Sequence, residues 1–238
     1  MVAVPEMKIA RFVNIEACKS IFSENSTFVL RSPQHYRRLY EDGNIKGDRN
    51  EGCAEIVNGG TAEYTSFVVS CWTKLKGTEP IYDEWNIFKE DKQNIVAIVS
   101  TPSKVCGFLN RTLETNEEHT KRRLPFWPVK HGEVKYEKAP RIDHTNIFKV
   151  VPFTKNKQFS KQEEYRFVME YSPYPYRIDS YIFCGGIDYI ENCFANPELS
   201  KEHKDALRLI IGKAMSGYGD FSNKKMSEII ANADILFQ

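Results

Sequence analysis

Hydrophobic residues in this chain arrive in short, β-branched runs, and that limits what it can fold into more than any other feature. Ser66 to Trp72 (SFVVSCW) and Asn94 to Ser100 (NIVAIVS) are the strongest of these runs. Such segments, bounded by polar residues, glycine or proline, read as strands. Further strands are predicted at Met7 to Ile15, Thr27 to Arg31, Val129 to Tyr136, Phe148 to Phe153, Glu164 to Tyr171 and Ile178 to Cys184, the last stopped by Gly185 and Gly186. Helical signals are fewer. Pro33 starts one over PQHYRRLYED, Pro80 to Phe88 holds a second, and Thr101 with Pro102 behind it opens a third that runs to Leu113. Ser200 to Ser216 carries an apolar stripe of Ala206, Leu207, Ile210, Ile211 and Ala214, and Lys224 to Leu236 reads as a final helix. Asn44 to Ala62, polar and glycine-rich, reads as a long loop. Many strands joined by a few short helices predict an α+β fold.

At 238 residues, with neither a repeat nor a low-complexity linker, a single domain over 1–238 is the simplest parse. The longest apolar runs, Ile95 to Val99 and Leu207 to Ile211, fall far short of the roughly 20 residues that span a bilayer. No membrane role is expected. Met1 to Ala10 carries an acid and a lysine and lacks a continuous apolar segment, so a secretory signal is not expected and a cytoplasmic location is. The six cysteines form no Cys-x-x-Cys pair and read as reduced, structural thiols. With 33 basic and 32 acidic residues, the net charge of +1 offers no overall attraction to polyanions. A nucleic-acid role would therefore rest on local groupings such as His35, Arg37 and Arg38, or Lys121, Arg122 and Arg123, with Tyr36, Tyr40, Tyr174 and Tyr176 as stacking surfaces.

The common nucleotide, zinc and hydrolase motifs are absent. The five histidines stand at no metal-ligand spacing, so no metal is expected. The most informative stretch is FSKQEEYRFVME, Phe159 to Glu170. A two-residue period puts Gln162, Glu164, Arg166 and Val168 on one face, and Glu163, Tyr165, Phe167 and Met169 on the other, which is expected to be the packed one. Amide, carboxylate and guanidinium side by side can hold a polar ligand. The alternative is a half-exposed strand on which Glu164 and Arg166 form a surface pair contributing under about 1 kcal/mol. Arg31 ends the strand TFVLR beside Ser32 and Pro33, where a guanidinium can fork onto phosphate. Ser70 places a hydroxyl in an otherwise apolar strand.

Arg31 on an early strand, Ser70 on a middle one, and Gln162-x-Glu164 opening a late one resemble the elements of mono-ADP-ribosyltransferases of the Arg-Ser-Glu class. Here Ser70-Cys71-Trp72, with Thr73 following, stands where that class has Ser-Thr-Ser. The chain over roughly residues 25–215, from Arg31-Ser32-Pro33 through Asp83-Glu84-Trp85 to Lys155 and Glu164-Tyr165-Arg166, also resembles a bacterial domain family of unassigned function. The first resemblance implies split mixed and antiparallel sheets with flanking short helices and a helical C-terminus. It also implies NAD as substrate, cleaved through a ribosyl oxocarbenium ion that a carboxylate stabilises, as in glycoside hydrolysis. Under it Glu164 would be that carboxylate, with Ser70 orienting it and Gln162 positioning the acceptor. Arg31 and Ser32 would bind the dinucleotide, and Tyr82, Trp85 and Trp72 are aromatic candidates for its nicotinamide. The acceptor would be a protein, RNA or DNA, and the setting a bacterial toxin or anti-phage effector with an antitoxin partner. Two other readings remain open: a non-catalytic nucleotide- or partner-binding module, and a nuclease. The latter would need a metal, for which Asp83, Glu84 and Glu164 are not spaced as a cluster.

Overall fold

The computed structural model describes residues 6–23, 26–43, 47–57, 59–88, 95–115, 127–137, 141–143, 146–171 and 178–215. Strand β1 (Ile9–Asn14) leads into helix α1 (Ile15–Ile21), and β2 (Thr27–Arg31) into α2 (Pro33–Glu41). Three strands follow, β3 (Cys53–Ile56), β4 (Thr61–Glu63) and β5 (Phe67–Lys74), before the short α3 (Tyr82–Asn86). Next come β6 (Ile95–Ser100), α4 (Pro102–Thr115), β7 (Lys130–Glu133), β8 (Lys135–Glu137) and β9 (Arg141–Ile142). Helix α5 (Ile147–Val150) passes into a 3₁₀ turn, Val151–Phe153, then β10 (Thr154–Asn156) and a second 3₁₀ turn, Lys157–Gln162. The chain continues as β11 (Glu164–Glu170), β12 (Ser180–Cys184), β13 (Asn192–Ala195) and α6 (Lys201–Met215). The architecture is α+β, with antiparallel and mixed sheets and short helices, as the sequence predicts. Among the described residues no helix is long and apolar enough to cross a membrane.

The residues divide into two compact units. The first comprises Met1–Phe28, Lys74–Phe108 and Phe183–Gln238. Its central strand β6 is buried at every position and lies between β1 and β13, both antiparallel to it. Alternate residues of β1 and β6 point one way, so Ala10, Phe12, Ile95, Ala97 and Val99 gather with Leu75, Trp85 and Phe194 into one apolar cluster. Asn14 stops β1 by turning its side chain back onto the Ala17 N–H at 2.8 Å, which caps α1. That helix is not legible in the run Met7 to Ile15.

The second unit comprises Val29–Thr73 and Leu109–Ile182. Strand β11 lies between β5 and β7, antiparallel to both, and β5 also pairs with β2 through Arg31 and Val69. Two small sheets accompany these strands: β4-β3-β9, and the parallel pair β10-β8. Ala54, Tyr64, Phe67, Val69, Ile142, Val151 and Val168 form its apolar cluster.

Several expectations are corrected. Asn44 to Ala62 is not all loop: it contains β3 and the start of β4, joined through Gly59 and Gly60 at φ 97° and 96°. Phe148 to Phe153 is not a strand but the end of α5 and a 3₁₀ turn. Pro152 has no N–H to give a ladder, and the turn instead buries Val151 and Pro152. Val129 to Tyr136 is two strands broken at Val134, whose N–H donates to the Glu164 carbonyl at 2.9 Å. The charge run Glu117 to Arg123, the helix expected at Lys224 to Leu236, and the pair Tyr174 and Tyr176 lie outside the described residues.

The glycine that leads into β3 is required by its surroundings. Gly52 adopts φ +78°, and a Cβ there would stand 2.7 Å from the Tyr64 carbonyl oxygen and 2.9 Å from Pro33 Cβ. The Gly52 carbonyl in turn accepts the Tyr64 N–H at 2.8 Å. Gly52→Ala is expected to lower the unfolding free energy by at least about 1–2 kcal/mol, the cost of left-handed backbone for an L-residue before the clash is counted. Urea denaturation of the two proteins measures it.

Candidate functional site

Strand β11 is buried along its whole length, charged residues included. The surface-pair alternative for Glu164 and Arg166 therefore does not hold, and neither does the expectation that only one face of this strand is packed. Arg166 is 0% exposed, so its charge must be met by other protein groups. Its Nη1 and Nη2 donate to the two carboxylate oxygens of Glu51 at 2.7 and 2.9 Å, and Nη1 also reaches the Pro152 carbonyl at 2.9 Å. Its Nε donates to Glu164 Oε2 at 2.9 Å. The other Glu164 oxygen, Oε1, accepts from the Lys155 ammonium at 2.5 Å. Lys155 donates also to Gln162 Oε1 at 2.8 Å and packs over the Phe159 ring, 4.7 Å from its centroid. Glu51, Arg166, Glu164, Lys155 and Gln162 are thus one continuous buried network.

Local structure explains how they meet. Lys155 sits on β10, paired in parallel register with Tyr136 of β8. The Tyr136 phenol accepts the Glu164 N–H at 2.6 Å, pinning the start of β11. Gln162 does not share the strand with Glu164 as expected. It ends the 3₁₀ turn, and Glu163 between them takes left-handed backbone at φ 42° and ψ 49°. The turn leaves Gln162 and Glu164 on the same ammonium. Glu51 comes from the turn before β3, immediately ahead of Gly52.

Desolvation by itself would raise the Glu164 carboxyl, but the Lys155 ammonium and the Arg166 guanidinium outweigh it and bring it down to about 2. For Glu51, burial is the largest influence and raises its carboxyl despite Arg166 and Lys155. Burial also pushes the Cys71 thiol, which lies across from Arg166, up to about 12. Because the folded value of Glu164 lies below its ordinary 4.5, its contribution to stability is fully present above that value and is lost as pH falls through about 2. The difference is worth about 3 kcal/mol. Urea midpoints measured between pH 5 and 2 are expected to fall less steeply in Glu164→Gln than in the wild type.

Register sorts the remaining candidates. Arg31 stands opposite Val69, and Val69, Cys71 and Thr73 share a face with Glu164, Arg166 and Val168. Arg31 and Glu164 therefore point to the same side of the sheet. Their rows are four residues apart along β5, about 13 Å at the rise of a strand. Thr73, buried and directly opposite Glu164, puts a hydroxyl on that side. Ser70 does not: it lies opposite Phe167 on the reverse face, where its Oγ accepts the Trp72 indole N–H at 3.1 Å. Trp72 is on that reverse face too, edge-on to Phe167. Ser32 is buried and caps α2, accepting the His35 N–H at 3.3 Å and donating to Asp179 at 3.1 Å. Trp85 is a buried core residue of the first unit, in a T-shaped contact with Phe12 at 5.2 Å. Tyr82, by contrast, is 71% exposed on α3 of that unit.

Sequence reasoning passed over Glu51 altogether and gave Lys155 no role. A signal existed for both: a strand carrying Glu164 and Arg166 between fully apolar neighbours needs outside counter-charges, and Glu51 directly precedes a glycine suited to a tight turn. Among the described residues no group of three or more His, Cys, Asp or Glu side chains could hold a metal ion.

No family model matches the chain, and no curated protein matches it significantly. Among solved structures the chain is similar to Thermus sp. 2.9 DarT. With DarT in complex with ADP-ribosylated ssDNA the identity is 10% and the TM-score 0.36, over 87% of this chain and 88% of that one. With the carba-NAD+ complex the figures are 10% and 0.35, over 88% and 91%. With the NAD+ complex they are 12% and 0.36, over 88% and 90%.

Proposed function

We propose that this chain is a NAD-dependent mono-ADP-ribosyltransferase that transfers ADP-ribose to a protein or nucleic-acid acceptor. The supporting observation is the state of Glu164: a buried carboxylate kept ionised at neutral pH by Lys155 and Arg166, with Gln162 on the same ammonium. A carboxyl this acidic is a poor proton donor or acceptor near neutrality, so its use is electrostatic. It stabilises the positive charge that forms on ribose as nicotinamide leaves, and it accepts a ribose hydroxyl. Arg31, on the same side of the sheet and about 13 Å along it, holds the pyrophosphate or the adenosine ribose. Gln162 positions the acceptor, and Thr73 takes the place beside Glu164 that the resemblance gives to Ser70. The role of a toxin or anti-phage effector, with an antitoxin as partner, rests on the resemblance stated above.

A second reading, a non-catalytic nucleotide-binding module, is favoured by one feature: protein cations engage both oxygens of Glu164. Incubation with NAD separates the two. The transferase releases nicotinamide, whereas the module binds NAD saturably and leaves it intact.

A further inference from the structure

Glu51 is a buried carboxylate to which the proposed reaction gives no task. It lies beyond hydrogen-bonding reach of the reacting side of Glu164, because Arg166 stands between them. All three guanidinium nitrogens are engaged: one edge grips Glu51 through two nitrogens, another meets Glu164, and a further N–H reaches the Pro152 carbonyl. Burial raises the Glu51 carboxyl, but both of its oxygens accept N–H groups of Arg166, the geometry of a carboxylate; with Glu51 so ionised, the four charged groups of the network, Glu51, Arg166, Glu164 and Lys155, sum to zero. Take Glu51 away and two cations face one anion.

That matters for a reaction whose transition state is itself cationic. A carboxylate flanked by two uncompensated cations presents net positive charge to a substrate, and the field that should favour the developing oxocarbenium ion reverses. We propose that Glu51 is a positioning residue that acts through Arg166. By neutralising the far edge of the guanidinium, it lets Arg166 orient Glu164 without cancelling the negative charge Glu164 presents to substrate. The inference rests on the transferase reading and deepens it. The nearby Asp48 carboxylate does not substitute for Glu51, since it accepts the Asn50 N–H at 2.9 Å and makes no bond to Arg166.

The test is the rate of nicotinamide release at saturating NAD, per folded molecule, for Glu51→Gln, Lys155→Met and the double variant. Glu51→Gln is expected to lower kcat by about thirtyfold while KM for NAD moves by less than about threefold, because the lost effect belongs to the charge formed in the transition state. Removing Lys155 as well returns the charged groups to balance, so the double variant is expected to recover kcat about tenfold over Glu51→Gln. A purely structural Glu51 gives the opposite order, with the second deletion in the same network adding damage. A kcat for Glu51→Gln within twofold of wild type overturns the inference, as does a double variant no faster than Glu51→Gln. If Glu51→Gln alone does not fold, the same charge step is read between Lys155→Met and the double variant. There Glu51→Gln must again lower kcat, and an unchanged value overturns the proposal. A wild-type chain that releases no nicotinamide removes the transferase reading itself, and this inference with it, before any variant is compared.

Discussion

Arg166→Met is expected to lower the unfolding free energy by about 3–5 kcal/mol, the loss typical when one partner of a buried ion pair is removed. The size follows from what is left behind. Glu51, 2% exposed, loses both of its charge-assisted bonds, and Glu164 keeps only Lys155. Two carboxylates then share one cation in a buried site, and protonating one of them to escape costs free energy as well. Replacing Glu51 and Arg166 together with methionine is expected to cost less than Arg166→Met alone, since no orphaned carboxylate remains beside the new side chain. Equilibrium urea denaturation measures both, with an unchanged m-value confirming that the same unfolded state is reached. The exposed Lys19–Glu16 pair on α1 provides the contrast: Lys19→Met is expected to change stability by less than about 1 kcal/mol. Equal effects at Arg166 and Lys19 would mean that the network is solvated rather than buried.

What the sequence made legible follows from which forces act locally. Alternation along Glu164 to Met169 puts Glu164 and Arg166 on one face, and the structure keeps them there because a two-residue period is a property of any strand. Strands β2, β5 and β6 were readable for the same reason: β-branched residues in short runs have few other homes. The position of Ser70 was not. Its own period was right, but which of its faces meets Glu164 depends on the register between β5 and β11, set by packing between segments far apart in the chain. The counter-charges were hidden in the same way, with Glu51 lying 115 residues from Arg166. Phe148 to Phe153 misled because two valines between phenylalanines make a short β-branched and aromatic run. Pro152 and the burial of Val151 turned it into helix and 3₁₀ turn. Trp85 misled through its type, since a tryptophan fits a ligand wall and a core equally well, and Phe12 decides for the core.

Glu164→Gln carries the second large expectation. The amide preserves shape and keeps an oxygen for Lys155, but it removes the negative charge, and loss of one preorganised electrostatic group typically costs about a hundred- to a thousandfold in kcat. NAD binding should survive, because the interactions proposed for Arg31 are unchanged. The direct measurement is nicotinamide released from NAD by the wild type and by Glu164→Gln, each verified as folded and each shown to bind NAD. Turnover by the wild type that falls about a hundredfold or more in the variant is the predicted result. Equal turnover by both proteins, or saturable NAD binding by the wild type without any release of nicotinamide, would contradict the account.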